Sequence, residues 1–249
     1  MPEDLRFTDP PPSGPPGSAT QTHSTNVATR IDQARRLEPT PARQAMRRLA
    51  EANRQVISRL VAIDAPPEVL DAAAEQMESV AALLQGYHQG SLYEGFAEAA
   101  NAGDPHAFFD HSPVIGAANP LAPPLRLSIV EGVVRGTATF SSAYEGPPGC
   151  VHGGYVACAF DEVLGLTQNL SGSPGMTGTL TVVYRRPTPL RTELQFTGEL
   201  VRVEGRKVFV RGTVEADGLL TAEATGIFIQ VDFAKKFGAG VRFPHPPVT

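Results

Sequence analysis

Glu145-Gly146-Pro147-Pro148-Gly149-Cys150-Val151-His152-Gly153-Gly154 runs straight into Tyr155-Val156-Ala157-Cys158-Ala159-Phe160-Asp161-Glu162-Val163-Leu164. The first ten residues read as a loop, because glycine and proline punctuate it throughout. The rest reads as a helix from Gly153 to about Asn169. Val156, Ala157, Phe160, Val163, Leu164 and Leu166 make that helix apolar on most sides. A helix apolar nearly all round is a buried one.

What flanks this helix is β in texture. Leu125 to Val130 and Val133 to Phe140 read as two strands around Glu131-Gly132. Thr179 to Arg185, Thr192 to Val203, Lys207 to Ala216 and Leu219 to Val231 read as four more. Glu204-Gly205 and Asp217-Gly218 are hairpin turns between β-rich runs. Gly198, Gly212 and Gly226 fall inside strands, where glycine marks a bulge or a close backbone approach. A strand pair, one buried helix and a four-strand antiparallel meander curling round it make an α+β layout.

The N-terminal part differs. Residues 1–38 are rich in Pro, Ser and Thr and read as a flexible leader, with a short helix over Arg30 to Leu37. Residues 40–87 read as a helical hairpin. Ala42, Met46, Leu49, Val56, Leu60 and Ile63 recur at helical spacing, with arginines largely between them. Asp64 is the expected cap of the second helix, whose stripe is Val69, Ala73, Met77, Val80 and Leu84. The stripes are expected to pack on each other or on a partner subunit, and the hairpin to pack on the β-rich part. A proline-broken connector follows, with a short helix over Tyr93 to Asn101. The resulting division is a 1–38 leader, a 39–100 hairpin and connector, and a 101–249 domain.

Composition excludes several classes. The 249 residues carry net charge −5, against a nucleic-acid coat. There are 23 prolines and 24 glycines, more than ordinary usage but short of a disordered chain. Two cysteines cannot form a disulfide framework, have no zinc-like spacing, and read as reduced cytoplasmic thiols. No apolar run approaches the ~18 residues of a membrane span. Asp110-His111-Ser112 has triad residue types, but adjacent residues do not converge on one atom and no nucleophile elbow is present.

The chemistry concentrates at the buried helix. Its start offers unpaired N–H groups and a partial positive charge, and Gly153 and Gly154 let a ligand oxygen approach closely. That suits an oxyanion hole. Asp161, an acid in the middle of an apolar helix, is costly unless paired or used. It could act as general base or as nucleophile. Eight residues of helix separate Gly153 from Asp161, about 12 Å at ~1.5 Å per residue. One carbonyl cannot touch both, so the two groups are expected to come from different subunits of a dimer.

These residues carry a resemblance. Gly149 to Val231 resembles the hotdog-fold acyl-CoA thioesterases of the PaaI type, closest to the THEM branch. The blocks are PGCVHGGYVACAFDEVLG, MTGTLTVVYRRPTPL, VEGRKVFV and AEATGIFIQV, in the family's order and spacing. The resemblance leaves out residues 1–100. It implies a hotdog fold, an antiparallel sheet wrapped around a long buried helix, here with an N-terminal helical extension. It implies hydrolysis of a fatty acyl or aryl thioester of coenzyme A, with coenzyme A as part of the substrate, no cofactor and no metal. Gly153 matches the backbone N–H that polarises the thioester carbonyl, and His152 the histidine that shapes the loop. Asp161 matches the catalytic carboxylate and Thr177 a hydroxyl that positions the water or the acid. Glu162 receives no role. Gly154 joins the substrate-binding set. So do Arg185, Arg186, Arg206 and Lys207, because the phosphates of coenzyme A need cations. The partners implied are an acyl-CoA and a second copy, as a dimer or dimer of dimers, with no nucleic acid and no membrane insertion. The alternatives are a non-catalytic acyl-CoA-binding hotdog protein and a hotdog hydratase or dehydratase, since fold does not fix function.

Overall fold

The computed structural model describes residues 41–87, 110, 112–123, 125–172 and 175–231. The 1–38 leader, the Arg30 to Leu37 helix, the Tyr93 to Asn101 helix and His111 lie outside these residues.

Among the described residues two helices come first, α1 (Pro41–Leu60) and α2 (Pro67–Gln85). Strands β1 (Arg126–Val130) and β2 (Val133–Thr139) follow, then α3 (Gly153–Gln168). After α3 come β3 (Gly175–Tyr184), β4 (Glu193–Glu204), β5 (Lys207–Ala216) and β6 (Leu219–Gln230). All six strands join one antiparallel sheet in the order β1-β2-β4-β5-β6-β3.

Local chemistry sets the hairpins. Glu131-Gly132 (φ 51° and 79°) and Asp217-Gly218 (φ 51° and 76°) both take positive φ at the two turn residues. That backbone matches the right-handed twist of the strands they join. Gly205 (φ 58°) opens the β4–β5 turn, where Glu204 pairs with Lys207.

The expected four-strand meander is corrected to three. β4, β5 and β6 are consecutive neighbours, but β3 lies at the far edge, paired to β6 with Leu180 opposite Gly226. The edge of β4 beside which β3 would sit is taken by β2, with Gly136 opposite Phe196. β3 therefore crosses the sheet and leaves its other edge without a strand among the described residues.

The core lies between the sheet and α3. Phe140, Phe160, Phe196, Phe228, Leu164 and Leu194 are fully buried, and the rings of Phe160 and Phe196 meet edge-on at 5.8 Å. Each such side chain is worth about 1.5–3 kcal/mol of burial. The helix comes close because the sheet is bare beneath it. Gly198 and Gly212 are opposite each other on β4 and β5. A Cβ on Gly198 would lie 2.2 Å from Thr167 Oγ1, and one on Gly212 would lie 3.0 Å from Leu164 Cδ2. The expectation of close approach is met at both.

The N-terminal helices only partly meet expectation. α1 docks on the domain: Arg47 Nε donates to Asp110 Oδ1 at 2.7 Å, and Arg54 donates to the carbonyls of Asn119 (2.8 Å) and Ala117 (3.1 Å). Ala50 is buried on that side. α2 buries no residue. Asp64 does not cap it. The N-cap is Pro66, with a proline at the start of the helix, which places Asp64 too far upstream to reach the first N–H groups.

Candidate active site

The loop before α3 is tied down along its length. Gly146 N–H donates to the Cys150 carbonyl and Cys150 N–H to that of Pro147, both at 2.9 Å. Gly149 N–H donates to Glu145 Oε1 at 2.6 Å. Val151 N–H donates to Thr188 and Leu190 N–H to Gly149, lashing the loop to the β3–β4 connection. Gly146 is sterically required, since a Cβ there would lie 2.7 Å from the His152 Cα.

His152 ends the loop as the N-cap of α3. Its Nδ1 accepts the Gly154 N–H at 3.0 Å, so the neutral ring carries its proton on Nε2. This is the loop-shaping part expected of it. The Gly154 N–H is thereby engaged by His152. The Gly153 N–H has no acceptor among the described residues. The Gly153 carbonyl accepts the Tyr184 hydroxyl at 2.7 Å, so the last residue of β3 holds the first residue of α3.

Asp161 lies just over two turns along α3 and is half-buried. The Thr177 hydroxyl, at the start of β3, donates to its Oδ1 at 2.8 Å, and the second carboxylate oxygen is left over. A bulge between Thr177 and Thr179 lies beside the contact, and bulges re-aim side chains. Expected partners 16 residues apart thus meet within one chain. The two ends of β3 hold different parts: Tyr184 marks the Gly153 end and Thr177 the Asp161 end.

Glu162 reaches the other way. The Ser112 hydroxyl donates to its Oε1 at 3.1 Å, while Ser112 Oγ accepts the N–H groups of Val114 and Ile115. Burial pushes the Glu162 carboxyl up to about 7, against the lowering effect of Ser112 and with help from the Asp161 charge. Burial, then Glu162 and Asp161, raise the Cys158 thiol, which makes it a poor nucleophile. Ser112 is thus a helix anchor and not a triad member, and Asp110 is paired with Arg47.

The four basic residues divide. Arg185 is in an ion pair with Glu223, and Arg186 donates to the Leu220 carbonyl at 2.8 Å. Arg206 donates to the Gln230 carbonyl at 3.1 and 3.3 Å. Lys207 is exposed beside it. Three of the four are thus engaged within the sheet. Arg185 and Arg186 follow Tyr184, at the Gly153 end. Arg206 and Lys207 lie at the Asp161 end, where Lys207 pairs with Ile229 and Thr177 with the adjacent Phe228. Among the described residues no group of three or more His, Cys, Asp or Glu could hold a metal ion, and no helix is long and apolar enough to cross a membrane.

Sequence reasoning missed Tyr184 and Ser112. The tyrosine stood directly before Arg185-Arg186, and its place at the end of a β-rich run was the available signal. Nothing local to Ser112 points to Glu162, 50 residues away.

A family model described as Thioesterase superfamily matches residues 148–223. Over 90 residues the chain is 38% identical to Acyl-coenzyme A thioesterase THEM4 of Mus musculus, which is 35% of this chain and 39% of that protein. It is 28% identical over 97 residues to Acyl-coenzyme A thioesterase THEM5 of Homo sapiens, 38% of this chain and 39% of that one. A crystal structure of a thioesterase superfamily protein superposes with TM-score 0.64 at 35% identity, covering 74% of this chain and 94% of the other. The chain belongs to the thioesterase superfamily. As such, its six-stranded sheet packed around α3 is a hotdog fold with N-terminal helices added. The alignments with these two curated relatives span about two-fifths of the length of each. Within this thioesterase-superfamily chain, the family match covers the loop, α3 and most of the sheet, and so contains Gly153, Asp161 and Thr177.

Proposed function

We propose that the protein is an acyl-CoA thioesterase that hydrolyses a fatty acyl or aryl thioester of coenzyme A. The observation that carries this reading is the pairing on α3 of an uncommitted Gly153 N–H with an Asp161 carboxylate oriented by Thr177. The names of the curated relatives support the substrate class.

In the general-base route, Asp161 takes a proton from water and the water oxygen attacks the thioester carbonyl. The developing oxyanion is met by the Gly153 N–H at the positive end of α3. Collapse breaks the C–S bond, and the coenzyme A thiolate takes the proton from Asp161. In the nucleophile route, Asp161 attacks the carbonyl, the C–S bond breaks to release coenzyme A thiolate and leave a mixed anhydride, and water cleaves the anhydride to the free acid and the Asp161 carboxylate, its spare proton going to the thiolate. Label found in the Asp161 carboxylate after single turnover in ¹⁸O-water identifies the second route, since water that opens the anhydride at the Asp161 carbonyl leaves its oxygen there. Neither route calls on a metal or a further cofactor.

The site is completed by a second subunit. The exposed edge of β3, with Met176, Val183 and Tyr184 uncovered, favours pairing with another strand. A two-fold axis at that edge sets β3 antiparallel to its copy. The Gly153 end of one protomer then faces the Asp161 end of the other. It also brings Arg185 and Arg186 of one protomer to the same site as Arg206 and Lys207 of the other. Lys207 is the cation most ready for a phosphate. Arg185, Arg186 and Arg206 would exchange their present partners for it. Two free cysteines suit a reducing, cytoplasmic setting.

The test is release of free thiol from a panel of acyl-CoAs by the full chain and by Asp161→Ala. Loss of at least 100-fold in kcat with the acyl-CoA still bound supports the reading. A wild-type rate no greater than the variant's on every substrate overturns it. A hydrated acyl-CoA with the thioester intact would identify a hydratase instead, and tight binding without turnover a carrier.

A further inference from the structure

Both N-terminal helices are amphipathic, and neither covers its apolar face. α1 is docked by its polar side, through Arg47 and Arg54. Its apolar stripe of Met46, Leu49, Val56 and Leu60 faces outward, between 39% and 62% exposed. α2 buries no residue at all, and Leu70, Met77, Val80 and Leu84 are exposed along one side of it. Helices in proteins owe most of their stability to packing of such a face. Two uncovered stripes in one chain therefore call for a partner.

We propose that the apolar face of α1 receives α2 of a second copy of this chain. Charge selects this pairing. α1 carries five arginines against one glutamate, whereas α2 carries Glu68, Asp71, Glu75 and Glu78 and no base. Pairing α2 with its own copy would set acids against acids, and pairing α1 with α1 would set arginines against arginines. Spacing agrees. Positions 46, 49, 56 and 60 on α1 match 70, 73, 80 and 84 on α2, a three-and-four alternation that forms a straight seam between helices. Length agrees too, since 20 and 19 residues each give about 30 Å at ~1.5 Å per residue. Pro66 is extended (φ −59°, ψ 148°) and is followed by Pro67. Two successive prolines make this joint stiff. An anionic lipid surface fits less well, because the four carboxylates of α2 would have to approach it as well.

The test uses two full-length single variants, Leu49→Cys and Ala73→Cys, co-expressed with different tags and purified through both. Mild oxidation and peptide mass spectrometry then report which peptides are joined. The expected result is a disulfide between the α1 peptide of one chain and the α2 peptide of the other. Circular dichroism confirms that each variant, changed at an exposed position, folds like the wild type. Three outcomes overturn the proposal. One is no such bond in the co-purified pair. The second is a bond formed solely within one chain in the double variant Leu49→Cys/Ala73→Cys. The third is sedimentation of the wild type with phosphatidylserine vesicles that Leu49→Asp abolishes. None of these readouts involves turnover, so they stand or fall apart from the proposed activity.

Discussion

Asp161 and Glu162 are adjacent carboxylates with opposite surroundings. Asp161 is half-buried and accepts a hydrogen bond from the Thr177 hydroxyl of β3. Glu162 is enclosed against the 112–115 segment, where burial raises its carboxyl from 4.5 to about 7. The native state therefore holds this proton more tightly than the unfolded chain does. Between pH 4.5 and about 7 the native state binds more protons, so stability falls as pH rises through that window. Glu162→Gln removes the titration while keeping an oxygen for Ser112. Urea unfolding should show near-equal stability at pH 4.5, and at pH 8 a variant more stable by up to about 3 kcal/mol, at ~1.4 kcal/mol per unit. Equal stability of the two proteins at both pH values would contradict the assignment. His152 to Asp161 was legible in the sequence because the loop, the cap and the helix are contiguous. Their supports, Tyr184 and Ser112, were not, because they arrive from segments whose positions only the fold decides. The same is true of Arg185, whose partner Glu223 is 38 residues away.

At the scale of elements, α3 and β4–β5 fit because each supplies what the other lacks. Thr167 on α3 is fully buried and its hydroxyl turns back to the Val163 carbonyl at 2.7 Å. Gly198 leaves the room for that hydroxyl. Gly198→Ala should destabilise the protein by about 1–3 kcal/mol, the usual cost of overpacking a core. Thermal unfolding measures it, and Thr167→Ala in the same chain should return part of the loss through the coupling of the two sites. A neutral Gly198→Ala would mean that helix and sheet are less closely packed than described. The hairpins were readable because two turn residues fix them. The place of β3 was not, since its sequence suits either edge and the choice depends on β2 having paired with β4. The docking side of α1 was not legible for a related reason. Helical periodicity finds the apolar stripe, but the domain offers α1 a buried carboxylate and two carbonyls, and these are matched by arginines.

For the whole molecule, the separation of Gly153 from Asp161 along α3 decides what one chain can do alone. If each site takes its N–H from one protomer and its carboxylate from the other, two different defects can complement each other. Gly153→Pro deletes the donor at the first position of a helix, where proline is well tolerated, and His152 before it is already extended (φ −59°, ψ 131°). Asp161→Ala deletes the carboxylate. Each homodimer then has two defective sites. In the mixed dimer both defects fall in one site, and the other site is intact. Heterodimers isolated with two tags should recover about half the wild-type kcat, and an equal random mixture about a quarter, by counting sites between independent subunits. If each protomer instead held a whole site of its own, every site in the mixed dimer would carry one defect. Activity would then stay at the level of the homodimeric variants. Thiol release by the tandem-purified heterodimer, set against both parents, distinguishes the two arrangements.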